Sequence, residues 1–269
     1  MEIFKINKTL VFDHIPKTEG TTVKSILNRV YNRVLVLDPN PGESVKAFRN
    51  LSVSERGSYD AIVGHTAHKL LDAVPEPVKS FTMLRRPTSR VISHYYHVRR
   101  DESHIYHEKA RHLQLRKYVS SGIADDRLRD HYCARFSGQS FDAVRDDPED
   151  AFEKAKEQLS EFSLVGITER FNESLLEARK QFGWTLPPIY AKRNVSHKRP
   201  SVSELTDETR RVIREATGYD QALYDWALER FGARTDRRGR AASLIALDTI
   251  NTLCTVALRT AKTLYRSTE

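Results

Sequence analysis

The pattern of hydrophobic and polar positions near the start of the chain predicts a strand, a tight loop and a helix. An apolar run from Thr9 to Phe12 is interrupted at His14 to Lys17, and Thr22 to Val30 then repeats apolar positions at helical spacing. A loop of this kind directs backbone N–H groups and a helix N-terminus at one point, and Lys17 adds a positive charge there. The segment is therefore expected to bind an anion such as a phosphate.

Further short apolar runs predict the other strands of a sheet. They are residues 33–38, 60–64, 80–84 and 163–167. Helical patterns separate these runs, which favours a mostly parallel sheet covered by helices on both faces. Because ligands of such sheets bind beyond the carboxyl ends of the strands, we expect His14, His65 and Arg85 to converge at one rim.

Helical patterns fill most of the remaining chain, and the segment 43–58 between the second and third strands is expected to be irregular or briefly helical. The helices are predicted from Thr88 onward, at 108–121 and 126–136 with a break at Gly122, and at 141–160, 168–182, 203–215 and 218–231. We expect one large α/β domain over residues 1–232, because the chain of 269 residues is long enough to bury a full core.

The composition limits the classes of ligand and compartment. A formal net charge of +8, spread along the chain, favours acidic ligands: nucleic acid, a polyanionic glycan or a phosphorylated cofactor. Cys133 and Cys254 are far apart and have no partner motif, so neither a disulfide framework nor a zinc site is predicted. The N-terminus has no long apolar segment, which predicts a cytoplasmic protein without a signal peptide or anchor.

The last segment, residues 233–269, is expected to be a basic linker followed by an amphipathic helix. Apolar positions from Leu244 to Leu264 recur there at roughly helical spacing. Three settings fit this tail: an anionic membrane surface, which would make the protein peripheral to the membrane, a partner subunit, or the surface of its own domain.

The order Pro-Lys-Thr-x-Gly-Thr-Thr at residues 16–22 differs from the usual nucleoside-triphosphate loop, because its lysine precedes Gly20. It resembles the 5′-phosphosulfate loop of sulfotransferases that use 3′-phosphoadenosine 5′-phosphosulfate (PAPS), particularly the Golgi carbohydrate family that contains heparan sulfate 2-O-sulfotransferase. The resemblance implies that one run of residues binds the cofactor: Lys17, Thr18, Glu19, Gly20, Thr21 and Thr22.

A second motif, after the predicted strand 80–84, extends the resemblance. In the family, an Arg-x-Pro segment followed by a serine holds the 3′-phosphate, and Arg85 and Ser93 match these two positions. A guanidinium offers a planar fork of donors to phosphate, and a serine two helical turns further adds a hydroxyl on the same face. Relatives also close the cofactor site with a late loop. The matching candidates there are Asn194, Ser196, Lys198 and Arg199.

The catalytic assignments rest on Gly64-His65, where the relatives carry the Gly-His that supplies the general base. Transfer of a sulfuryl group to a hydroxyl requires removal of the acceptor proton, and a neutral imidazole suits that role. We assign the base to His65, with His14 as the alternative, and expect Lys17 to stabilise negative charge on the 5′-phosphate as it leaves. Glu19 departs from the small residue that is usual in the family, and a carboxylate there opposes an anionic ligand.

These observations predict a three-layer, P-loop-like α/β fold that resembles a nucleotide kinase, and a PAPS-dependent enzyme that sulfates a hydroxyl, by resemblance that of a carbohydrate. No metal and no nucleic-acid partner are expected, although His94, His97 and His104 belong to a histidine-rich stretch. Two alternatives remain open. One is a phosphotransferase that uses a nucleoside triphosphate and places magnesium at Asp13, and the other is a non-catalytic binder of polyanions.

Overall fold

The computed structural model describes residues 8–37, 41–191, 199–234 and 237–266, and these contain a sheet of five parallel strands. The strands are β1 (Thr9–Asp13), β2 (Val34–Val36), β3 (Ala61–Gly64), β4 (Val78–Leu84) and β5 (Leu164–Ile167). They are arranged in the order β2-β3-β1-β4-β5, so β1 lies at the centre. The register pairs Asp13 with Gly64 of β3 and with Thr82 of β4, which places the carboxyl ends of these three strands at one edge.

Helices connect and flank the strands. The first four are α1 (Gly20–Val30), α2 (Pro41–Arg49), α3 (Val53–Arg56) and α4 (Pro87–Val98). Between β4 and β5, after α4, come α5 (His107–His112), α6 (Leu115–Ser120), α7 (Asp125–Leu128), α8 (His131–Ser137), α9 (Phe141–Asp146) and α10 (Pro148–Glu161). After β5 come α11 (Phe171–Phe182), α12 (Asp207–Ala216), α13 (Gly218–Arg234) and α14 (Arg237–Arg266).

The chain divides into two compact units, each built from separate stretches of sequence. Unit 1 comprises residues 1–83, 163–195 and 232–269, and unit 2 comprises residues 84–162 and 196–231. The predicted boundary at residue 232 between a catalytic domain and a tail stays a prediction. Of the predicted linker at 233–240, the described residues are helical, because α13 ends at Arg234 and α14 begins at Arg237.

Unit 1 covers its sheet on both faces, as a three-layer α/β fold requires. Side chains of successive strand residues point to opposite faces. Val11 packs in a buried cluster with Phe48 of α2. The neighbouring Phe12 contacts Phe81, with ring centroids 5.0 Å apart, and Phe81 contacts Phe182 of α11 at 5.7 Å. The predicted fold class is therefore confirmed.

Unit 2 has its own apolar core, made by α4, α5, α6 and α12. Tyr95 of α4 and Tyr118 of α6 are buried at its centre, with ring centroids 5.3 Å apart. The Tyr95 hydroxyl donates a hydrogen bond to the Leu113 carbonyl at 2.8 Å, which satisfies its polar group inside the core.

Several predicted helices are shorter than their sequence patterns suggest. The helix predicted at 141–160 is two helices, because Asp147 precedes Pro148 and proline disfavours helical backbone in the residue before it. The Asp147 side chain then accepts from the Asp150 N–H at 3.1 Å and caps α10. The predicted helix at 108–121 is likewise interrupted, at the extended residues Leu113 and Gln114. Conversely, the segment 43–58 is more helical than expected, since it contains α3 and most of α2.

Candidate functional site

The loop between β1 and α1 holds its backbone in an unusual conformation. Lys17 and Glu19 both adopt left-handed backbone angles, with φ of 71° and 65°. Non-glycine residues adopt this region at a cost of about 1–2 kcal/mol each, and such strain is concentrated at functional sites. The Thr18 side chain between them is buried, and its hydroxyl donates to the Ile15 carbonyl at 2.9 Å. The Thr18 side chain thus fixes the loop from inside, between Lys17 and the start of α1.

Gly20, the first residue of α1, is required by the packing of His14. A Cβ atom at position 20 would lie 1.7 Å from the His14 Cδ2 atom, a distance that no side chain allows. Thr21 and Thr22 follow in the first turn of the helix, where the Thr22 N–H donates to the Glu19 carbonyl at 3.0 Å. Because His14 approaches so closely, position 20 requires a glycine, and α1 begins directly beside the His14 ring.

His65 lies directly after β3, and its ring is oriented by the backbone of β1. Its Nδ1 atom is 2.6 Å from the His14 carbonyl oxygen, and the two imidazole rings have centroids 4.4 Å apart. Because a carbonyl only accepts hydrogen bonds, Nδ1 must carry the proton, and in the neutral ring Nε2 is the basic nitrogen. The contact thus selects the tautomer that a general base needs.

A third histidine at this edge, His68, was not predicted from the sequence. Its Nδ1 atom lies 2.7 Å from the Asp13 Oδ1 atom, and its backbone N–H donates to the same oxygen at 3.2 Å. Asp13 is fully buried. The carboxylate that a magnesium-dependent phosphotransferase would need is therefore engaged by His68. One feature could have indicated the contact between Asp13 and His68. Parallel pairing of β1 with β3 puts the end of β1 beside the segment that follows β3.

Glu19 is exposed and lies on the side of Tyr190, a partly buried tyrosine after α11. Burial first, and then the negative charge of Glu19, raise the pKa of Tyr190 to about 12. The Tyr190 hydroxyl donates to Asn172 Oδ1 at 2.9 Å. Solvent therefore screens the Glu19 carboxylate, which reduces its opposition to an anion in the loop.

In unit 2, Arg85 immediately precedes α4, and Tyr132 of α8 fixes its backbone. The Arg85 N–H donates to the Tyr132 hydroxyl at 3.1 Å, and this hydroxyl donates to the Arg85 carbonyl at 2.8 Å. The prediction that Arg85 and Ser93 lie two helical turns apart on one face was wrong, because α4 begins only at Pro87. Proline is favoured in the first turn of a helix and leaves Arg85 in the preceding loop.

Ser93, which is buried in α4, contacts a residue of the predicted late basic segment. Arg199 Nη1 donates to the Ser93 Oγ atom at 2.9 Å, although the two residues are 106 positions apart. Since the hydroxyl accepts this bond, its own proton can be donated to a bound anion. Asn194, Ser196 and Lys198, the other candidates in that segment, lie outside the described residues.

The histidine-rich stretch brings three rings together in unit 2. His104 lies between His94 and His97, with ring centroids 5.8 and 6.2 Å away. Burial lowers the pKa of His104, which favours its neutral form. Among the residues that the structure describes, no group of three or more histidine, cysteine, aspartate or glutamate side chains is arranged to hold a metal ion.

A parallel sheet with a loop after β1 that leads into a helix N-terminus is an arrangement in which ligands bind beyond the carboxyl ends of the strands. Comparison with known proteins identifies the class: residues 3–227 match the Sulfotransferase family, and the chain belongs to it. The chain is also similar to galactose-3-O-sulfotransferase 3 from Mus musculus, with 36% identity over 81 residues. This match covers 30% of the chain but only 19% of the mouse protein.

Proposed function

We propose that the protein transfers the sulfuryl group of PAPS to a hydroxyl of a carbohydrate. Membership of the Sulfotransferase family supports sulfuryl transfer, and the similarity to a galactose-3-O-sulfotransferase favours a sugar acceptor. The observation that carries the proposal is the β1–α1 loop, with the left-handed Lys17 and Glu19 and a glycine-started helix beside His14.

The residues of this loop fit the anionic end of the donor. Lys17 contributes a positive charge, and α1 contributes its N-terminus. Both attract the negatively charged 5′-phosphosulfate group. We assign the 5′-phosphosulfate to Lys17 and the backbone of residues 18–22, since the Thr18 hydroxyl already donates to Ile15. When bound, PAPS supplies an activated sulfuryl group on a phosphate leaving group.

The 3′-phosphate is assigned to Arg85 and Ser93. Tyr132 holds the Arg85 backbone, which lowers the entropy lost when its guanidinium binds a phosphate. Arg199 orients the Ser93 hydroxyl and brings a second guanidinium next to it. Ser196 and Lys198 stay candidates for the same role, by resemblance to the family.

His65 is assigned as the general base. Its Nε2 atom takes the proton of the acceptor hydroxyl while the new oxygen–sulfur bond forms and the bond from sulfur to the phosphate oxygen breaks. Lys17 stabilises the charge that develops on the phosphate side. The Asp13–His68 pair positions the segment that carries His65, because it joins the end of β1 to the residues after β3.

The test is transfer of labelled sulfate from PAPS to galactose-terminated oligosaccharides, for wild type, His65→Gln and the control His112→Gln, an exposed histidine in α5. We expect His65→Gln to lower kcat by about 100- to 10,000-fold, the usual contribution of a general base, and to leave donor affinity unchanged. His112→Gln should keep full activity. Wild-type activity in His65→Gln, or loss only in His14→Gln, would assign the base elsewhere.

A further inference from the structure

The C-terminal helix α14 has an outward face that is unusual for a protein surface. The segment Ala241–Leu258 is long and apolar enough to cross a membrane by length and composition, yet little of it is buried. Ile245, Leu253 and Val256 expose 69%, 63% and 55% of their surface. Asp248 is the one charged residue in these 18 positions, all of which the structure describes.

The inward face of the same helix buries Leu247 together with two polar residues. Asn251 is 1% exposed, and its Oδ1 atom accepts from the Tyr190 N–H at 2.9 Å. Thr255 is also buried and donates to the Asn251 carbonyl at 2.7 Å. Asp248 accepts from Asn172 Nδ2 at 3.2 Å, which ties the helix to α11.

The charged residues on either side of this apolar segment indicate which kind of partner contacts its exposed face. Arg237, Arg238 and Arg240 precede it in the sequence, and Arg259, Lys262 and Arg266 follow it. Because both ends are basic, two copies of the helix would bring like charges together in either a parallel or an antiparallel pair. An anionic lipid surface complements both ends, since each nearby Lys or Arg is attracted to acidic headgroups.

From these observations we infer that α14 docks the protein on an anionic membrane surface, with the Ile245, Leu253 and Val256 face buried among the lipids. The helix lies in the plane of the membrane, because its opposite face packs on α11 through Asn251. The 18-residue apolar stretch is about 27 Å long at the rise of an α-helix, which gives the interface a large apolar area. This docking is independent of the donor and acceptor assigned above.

The experiment is sedimentation of the full chain with vesicles of phosphatidylcholine containing 30% phosphatidylserine, and with vesicles of phosphatidylcholine alone. We expect binding to the anionic vesicles and about tenfold or more weaker binding by Leu253→Asp. The matched control is Ile105→Asp, which changes an even more exposed apolar residue, 76% exposed, in unit 2 and should bind as wild type does. Circular dichroism checks that both variants fold.

Two results would overturn the inference. One is equal vesicle binding by wild type and Leu253→Asp, which would mean that charge alone attracts the protein. The other is absence of vesicle binding together with a wild-type dimer in analytical ultracentrifugation that Leu253→Asp dissociates, which would make a second copy of the chain the partner of this face.

Discussion

Glu19 brings a negative charge into the loop to which we assign the 5′-phosphosulfate of the donor. Its side chain is exposed, so its interaction with a bound phosphate passes mainly through water, where two unit charges about 6 Å apart interact by about 0.7 kcal/mol. We therefore expect Glu19→Gln to bind adenosine 3′,5′-bisphosphate about threefold more tightly than wild type, as measured by calorimetry at low salt.

The control for this residue is Glu43→Gln, which removes an exposed charge from α2. It should leave the affinity unchanged, because α2 is outside the loop. Weaker binding by Glu19→Gln would contradict the account and would mean that the carboxylate contributes to the ligand site. For single residues of unit 1 the sequence predicted the placement, since Lys17 and Gly20 follow β1 and His65 follows β3 at the edge that the strand pattern indicated.

Contacts between distant segments were less predictable. The pairing of His68 with Asp13 and of Arg199 with Ser93 joins residues 55 and 106 positions apart. Apolar periodicity assigns a residue to an element and a face, but it carries no information about which polar side chains meet. The expectation that two helical turns join Arg85 to Ser93 failed for a local reason, because Pro87 starts α4 after Arg85.

At the scale of elements, α8 and α13 cap each other through two buried aspartates. Asp220 Oδ1 accepts from the N–H groups of Tyr132 and Cys133, at 2.8 and 3.0 Å, at the start of α8. Asp130 Oδ1 accepts in turn from the Asp220 N–H at 3.0 Å. Burial raises the pKa of Asp220 to about 7, although the nearby Arg90 lowers it. The folded protein therefore holds a proton there that the unfolded chain releases near pH 4.

This raised pKa predicts a pH dependence of folding. Between about pH 4 and 7 the folded state binds the extra proton, so the contribution of Asp220 to the free energy of unfolding falls by about 1.4 kcal/mol per pH unit as pH rises. Asp220→Asn cannot ionise and keeps an acceptor for α8. Relative to wild type it should gain stability between pH 5 and 7, by about 2–3 kcal/mol in urea unfolding.

Asp225→Asn is the matched control, because Asp225 is exposed on the same helix. Its unfolding curve should run parallel to that of wild type across the same pH range. A constant difference between Asp220→Asn and wild type from pH 5 to 7 would contradict the assignment, since it would mean that Asp220 is already ionised in the folded protein at pH 5.

At the scale of the whole molecule, the chain combines a parallel α/β sheet with a formal net charge of +8. Positive charge of this size attracts many anions, and a protein that merely binds polyanions would lose affinity steeply with salt and with any lost cation. A donor site differs because it depends on particular side chains. A specific dependence of donor binding on Lys17 and Arg85 would therefore distinguish a sulfotransferase from a general polyanion binder.

Calorimetric titration with adenosine 3′,5′-bisphosphate, the product that PAPS leaves behind, tests whether the protein has a PAPS site. Wild type should bind it with micromolar affinity and bind ADP far more weakly. Lys17→Ala and Arg85→Ala should both abolish this binding, whereas the controls Lys46→Ala and Arg145→Ala, which remove exposed charges, should keep it. Absence of binding to wild type, or equal losses in the site variants and the controls, would contradict the assignment of a PAPS-dependent sulfotransferase.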